Sequence, residues 1–138
     1  MQRLFRFGVV MAAVVAAVLG SGQAASADPV LRVSVTGARL ASEAQVVLSG
    51  RYVCGPFSPG SDGVVDLDVR QADTTGYGYL YLTVCDGSTQ TWSAPVDAVA
   101  GQFVRGRAQA LGGGYACDRG PGGQCAFGSF GPLTVRIR

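Results

Sequence analysis

The chain has 138 residues and a formal net charge of +2, from eleven basic residues, all of them Arg, and nine acids. It contains no His, Lys or Asn, which excludes a Ser-His-Asp or Cys-His nucleophile, an imidazole metal site, a Schiff base, a P-loop lysine and an N-glycosylation sequon. Two of the Arg fall in an N-terminal targeting segment, and the near-neutral remainder argues against nucleic acid and against a polybasic membrane contact.

That segment comes first. Arg3 and Arg6 supply a positive start, Val9 to Leu19 is apolar and uncharged, and Ala25-Ser26-Ala27 fits the small-x-small cleavage rule. The reading is a secretory signal peptide over 1–27, cleaved before Asp28, and a single domain over 28–138. The apolar run is too short for a membrane span, and no cysteine sits at the cleavage site to carry a lipid. The mature protein is expected to be secreted, monomeric and without a membrane anchor.

Strand signals then follow in order. Val30 to Val35 alternates weakly and ends at Gly37. In Ala44 to Cys54, Val46, Leu48, Tyr52 and Cys54 share one parity, as a half-buried strand requires; Gly50 interrupts it and suggests a bulge. Gly55 to Gly63 is a loop by its Gly and Pro content. Val64 to Arg70 puts Val65, Leu67 and Val69 inward and Asp66, Asp68 and Arg70 outward. Ala72 to Gly76 turns the chain into Tyr77–Cys85, which carries Tyr77, Tyr79 and Tyr81 on one face. Asp86-Gly87 suits a tight hairpin turn into Thr89–Val96, which holds Trp92, the only tryptophan. Phe103 to Leu111 is a weaker strand that Gly112-Gly113-Gly114 is expected to break. Leu133, Val135 and Ile137 mark the seventh.

Cys54, Cys85, Cys117 and Cys125 form an even set in an exported chain and read as two disulfides. Three pairings are possible, and Cys54–Cys85 with Cys117–Cys125 is preferred. The residues between Cys117 and Cys125 are flexible enough to bring their ends together, and Cys54 and Cys85 each end a strand-like run. One conflict accompanies this pairing: Cys85 has the parity of the tyrosines and Cys54 that of the core. A bulge near Cys85, a bond at the sheet's end or another pairing would resolve it. A four-Cys zinc site is disfavoured because no Cys-x-x-Cys occurs.

Seven short strands with turns about every ten residues predict an all-β fold, an immunoglobulin-like antiparallel β-sandwich. The segments VVLSGRYVC, VCDGSTQTW and CAFGSFGPLTVRIR, behind a signal peptide and in a Gly/Ala/Val/Thr-rich body, resemble a family of small secreted immunoglobulin-like proteins of high-GC Gram-positive bacteria, which has no activity to transfer. The architecture is also similar, more distantly, to the neocarzinostatin-type chromophore carriers, which hold an aromatic cargo between sheet and loops. The Cys54–Cys85 loop is far longer than theirs, and no binding residue is carried over.

Three candidate sites emerge. Tyr77, Tyr79 and Tyr81 form a ladder that either stacks a sugar, a polycyclic ligand or a protein partner, or covers neighbouring strands. Trp92 either joins a ligand site or packs near a disulfide. The Cys117–Cys125 loop, with Arg119 near its tip and Tyr115, Phe127 and Phe130 beside it, either meets a partner or is stapled for stability. Asp66 and Asp68, with Asp62 and Asp73 nearby, read as a solvated face rather than a calcium or catalytic pair. Asp73-Thr-Thr-Gly76 has one Thr too many for an aspartic-protease signature. The expected function is a secreted, non-enzymatic binding or structural module with no cofactor or metal, its partner an extracellular protein or small ligand. The alternatives are a carrier of aromatic cargo and a protease inhibitor presenting the Cys117–Cys125 loop.

Overall fold

Period-two alternation of apolar and polar side chains builds most of the strands, and the inward parity switches within the first and the last of them. The computed structural model describes residues 27–138; the expected targeting segment, up to residue 26, lies outside them. The strands are β1 (Val30–Ser42), β2 (Gln45–Gly55), β3 (Asp62–Gln71), β4 (Thr74–Leu82), β5 (Thr89–Ala100), β6 (Gly106–Cys117) and β7 (Cys125–Ile137). They close into a barrel in the order β1-β2-β5-β4-β3-β6-β7. Neighbours are antiparallel, except that β1 and β7 run parallel. The all-β class, the seven strands and both disulfides match expectation. The strands close into one ring rather than standing as two open sheets, because several run longer than their apolar patterns suggest and reach across to each other. β5 continues past Val96 to pair with the start of β4 at Thr75, Gly76 and Tyr77. β1 continues past Gly37, with its register shift there, so that Ala38 meets Ile137.

The inward parity fills the barrel. Val46, Leu48, Val65, Leu67, Val69, Leu82 and Val96 are fully buried, each contributing about 1.5–3 kcal/mol relative to exposure. Phe103, expected to open a strand, lies in the preceding connection and is fully buried.

Glycine explains two further departures. Gly50 marks no bulge in β2; the shift lies opposite it in β1, between Val35 and Gly37. A Cβ on Gly50 would sit 1.8 Å from the Ser34 carbonyl oxygen, so the residue is small because another backbone crosses it. Gly112-Gly113-Gly114 does not break β6, which runs through to Cys117. A Cβ on Gly112 would lie 2.4 Å from the Phe130 ring, so missing side chains there make room for a core aromatic.

The Asp86-Gly87 hairpin is the largest local correction. β4 stops at Leu82, and β5 ladders chiefly with β2, from Val53↔Thr89 to Gln45↔Asp97. The Cys54–Cys85 bond (Cα–Cα 4.4 Å) draws residues 85–87 onto the end of β2. There the Phe57 amide donates to the Cys85 carbonyl and the Gly87 amide to the Cys54 carbonyl, each at 2.8 Å. Cys85 therefore lies beyond β4 and is buried, which removes the parity conflict.

Candidate functional site

The outer faces of β4, β3, β6 and β7 carry the site, and its register can be read across the ladders. Tyr81 of β4 pairs with Val64 of β3, Val64 with Tyr115 of β6, and Tyr115 with Phe127 of β7. One row of side chains thus crosses four strands. Tyr81 is 70 % exposed and Phe127 77 %, with Tyr115 also exposed. The next row is Tyr79, Asp66, Gly113 and Ser129, and the third begins Tyr77, Asp68, Leu111. At about 4.8 Å between strands and about 6.8 Å between rows, the face spans about 14 Å each way. Ring centroids stand 6.5 Å apart for Tyr79–Tyr81 and 6.3 Å for Tyr115–Phe127. The tyrosine ladder is therefore an exposed surface.

Polar groups interleave the rings. Asp68 holds Arg70 through two bonds, to Nε at 3.2 Å and Nη2 at 3.0 Å. Asp66 has no side-chain hydrogen bond or ion pair among the described residues, and lines a shallow depression of about 220 Å³ with Tyr77 and Tyr79. Gly113 lies in the middle as bare backbone. A Cβ there would meet nothing closer than 3.7 Å. The sequence pattern singled out Tyr77, Tyr79 and Tyr81 but placed Tyr115 and Phe127 with the loop. Their membership of the same row was hidden by the expected break at Gly112–Gly114.

Trp92 is elsewhere. It points into the barrel, 7 % exposed, with Gly50 as its cross-strand neighbour. A Cβ on Gly50 would lie 3.0 Å from the indole nitrogen, which has no hydrogen-bond partner. Gly50 lies four residues before Cys54, about 13 Å along the strand, so the residue opposite the ring is a glycine rather than a disulfide. Trp92 fluorescence is expected to resist iodide quenching in the folded protein and to become quenchable in urea; quenching equal in both would contradict this burial.

Arg119 sits at the far edge of the same face. The Cys117–Cys125 bond (Cα–Cα 4.0 Å) closes the β6–β7 hairpin at its last ladder pair. Arg119 is exposed, yet its guanidinium grips Asp62 through Nε at 3.2 Å and Nη2 at 2.6 Å. Asp118 ties the loop down by accepting from the amides of Ser58 at 3.1 Å and Gly120 at 2.8 Å. The Ser61 hydroxyl accepts from the Arg119 amide at 3.0 Å. This geometry favours a fastened loop over a freely presented arginine.

The Gly120 amide first, then Ser58 and Ser61, hold the Asp118 carboxyl below its ordinary range. A depressed carboxylate contributes stability above its unfolded value, about 3.9, and loses it as pH falls through the folded value. The 118–120 loop is thus expected to stay fastened at neutral pH and to loosen only below about pH 4. Protection of the Ser58 and Gly120 amides, measured against free-peptide exchange at the same pH, should fall there in the native protein and be already low at pH 7 in Asp118→Ala. Unchanged exchange in that variant would refute the role.

The fold and this face together define a small all-β barrel domain with two disulfides and an exposed aromatic surface. No family model, curated protein or solved structure matches the chain. Two disulfides fit an oxidising, extracellular setting. No helix of the described residues is long and apolar enough to cross a membrane.

Proposed function

We propose that the protein is a secreted, non-enzymatic binding module that uses the outer face of β4, β3, β6 and β7 to hold an extended, ring-bearing ligand, a glycan chain above all. The observation that carries this reading is the row Tyr81, Val64, Tyr115, Phe127, in register across four strands and open to solvent. Folding leaves exposed aromatic area of this kind uncovered only at a cost, and contiguous patches mark contact sites. Rings offer apolar faces while phenol hydroxyls, Asp66 and Ser129 offer polar ones, the mixture a sugar presents. The lack of His and Lys in the sequence supports a role in holding rather than transforming. A flat face favours this reading over the enclosed cargo pocket of a chromophore carrier, and the Arg119–Asp62 pair disfavours the inhibitor reading. The long ladders of β1 with β2 and β5, and of β4 with β3, β6 and β7, are joined by two short seams. They support reading the barrel as an immunoglobulin-like sandwich whose edges have sealed.

The test is titration of the folded protein with cellohexaose and chitohexaose, followed by amide NMR. Shifts are expected on Tyr79, Tyr81, Gly113, Tyr115 and Phe127. Tyr79→Ser/Tyr81→Ser should weaken binding at least tenfold, at about 1 kcal/mol or more per stacking ring lost. Gly113→Leu fills the open floor and should block binding while Trp92 emission stays native. Absence of shifts with both sugars, or full binding by both variants, would overturn the glycan reading.

A further inference from the structure

Net charge near zero conceals a local cluster of arginines at one end of the barrel, on strands away from Glu43 and Asp73 in the 43–44 and 72–73 turns of that end. Loops 56–61, 83–88 and 118–124 lie at one end, and loops 72–73 and 101–105 at the other. At this second end five arginines gather on, or one residue beyond, the outer faces of three adjacent strands. Arg107 of β6 pairs directly with Arg136 of β7, and both are exposed. Beyond them, the Arg138 amide donates to the Ala38 carbonyl and the Leu40 amide to the Arg138 carbonyl, which sets Arg138, just past β7, beside Arg39 of β1. Arg105 precedes β6 and shares a depression of about 430 Å³ with Arg136 and Arg138. A second depression of about 430 Å³ joins Arg39, Arg136 and Arg138, with Thr134 on its wall. A third, of about 510 Å³, holds Arg107 and Thr134. No acidic residue lines any of the three.

None of these five arginines has an ion-pair partner among the described residues; the two ion pairs engage Arg70 and Arg119. Like charges directly opposite on a sheet are destabilising. Arg107 and Arg136 occupy such a pair with no carboxylate inserted between them, although acids equal arginines in number outside the targeting segment. A bound anion would relieve that repulsion, and guanidinium forks match phosphate oxygens in bidentate geometry.

We propose that this arginine trough, at the β1–β7 seam and along β6, binds a polymer that carries repeated phosphate groups. A single phosphate can engage one or two of the guanidiniums; a chain of them can follow the row from Arg107 through Arg136 to Arg39. The trough has no aromatic ring for stacking a base, so recognition is of phosphate alone. It lies at the opposite end from the Tyr81–Phe127 row and does not depend on that face having a ligand.

The test uses long-chain inorganic polyphosphate as probe, with the folded protein in solution at varied salt. Saturable binding is expected at 0.15 M salt, with inorganic monophosphate at least a hundredfold weaker. Arg107→Gln/Arg136→Gln should weaken polyphosphate binding at least tenfold and flatten the dependence of log K on log salt by about 1.5. The same variant, freed of its like-charge pair, should melt no lower than the parent without ligand, which separates a lost site from a lost fold. Arg32→Gln/Arg51→Gln removes as much charge from the other end and should leave binding intact. Equal weakening by both double variants would assign the effect to net charge and overturn the site. So would tighter binding of dextran sulfate or of single-stranded poly-dT than of polyphosphate, or no binding at 0.15 M salt.

Discussion

Replacing both Cys54 and Cys85 by Ala is expected to cost about 3–5 kcal/mol, a large share of the stability of an ordinary domain. The bond spans 31 residues, and loop-closure entropy alone gives about 3.7 kcal/mol for that length. Both half-cystines are buried, so their removal also leaves space in the core. The bond further holds the reciprocal pair of backbone hydrogen bonds between residues 85–87 and 54–57, which carry the chain from β4 to β5 without a tight hairpin. Urea unfolding followed by Trp92 emission would measure the loss. The Cys117–Cys125 bond spans only 8 residues and closes ends that the β6–β7 ladder already holds, so its removal should cost about 1–2.5 kcal/mol. Equal costs for the two, or a loss under about 1 kcal/mol at Cys54–Cys85, would contradict this account.

The second large effect is expected from a single methyl group. Gly114→Ala would place Cβ 2.0 Å from the Val64 carbonyl oxygen and 2.6 Å from the Val65 Cα. Both obstacles are backbone of the facing strand, so no rotamer change relieves them and β3 must move away from β6. A penalty above about 3 kcal/mol follows, at the upper end of overpacking effects. One residue earlier the same substitution faces outward into open space, and Gly113→Ala should fall within about 0.5 kcal/mol of the parent or slightly above it. Thermal melting of the two variants tests this directly. Similar melting temperatures would mean that β3 and β6 are not pressed together as described.

This contrast explains why part of the binding face was legible in the sequence and part was not. Alternation in Val64–Arg70 and in Tyr77–Leu82 assigns Tyr77, Tyr79, Tyr81 and Asp66 to outward faces from the chain alone. Tyr115 and Phe127 join them only if β6 continues through three glycines, which local propensity argues against. The strand persists because inward Gly112 makes room for Phe130 and inward Gly114 for the β3 backbone. Arg119 shows a different limit. Its exposure and loop position were visible, but its engagement by Asp62 depends on a residue 57 positions away. The arginine trough shows a third, since a balanced total charge says nothing about where the charges fall.

The chain by itself determined the strand count, the inward residues and the preferred cysteine pairing. Each follows from local chemistry: side-chain parity, turn residues, and the tendency of paired thiols to oxidise outside the cell. Only the folded molecule decided that the strands close into a barrel, that Cys85 stands clear of β4, and that rings from three strands line up while five arginines gather at the opposite end. Those outcomes depend on register between distant segments, set by where one backbone can approach another, and glycine marks such places without naming the partner.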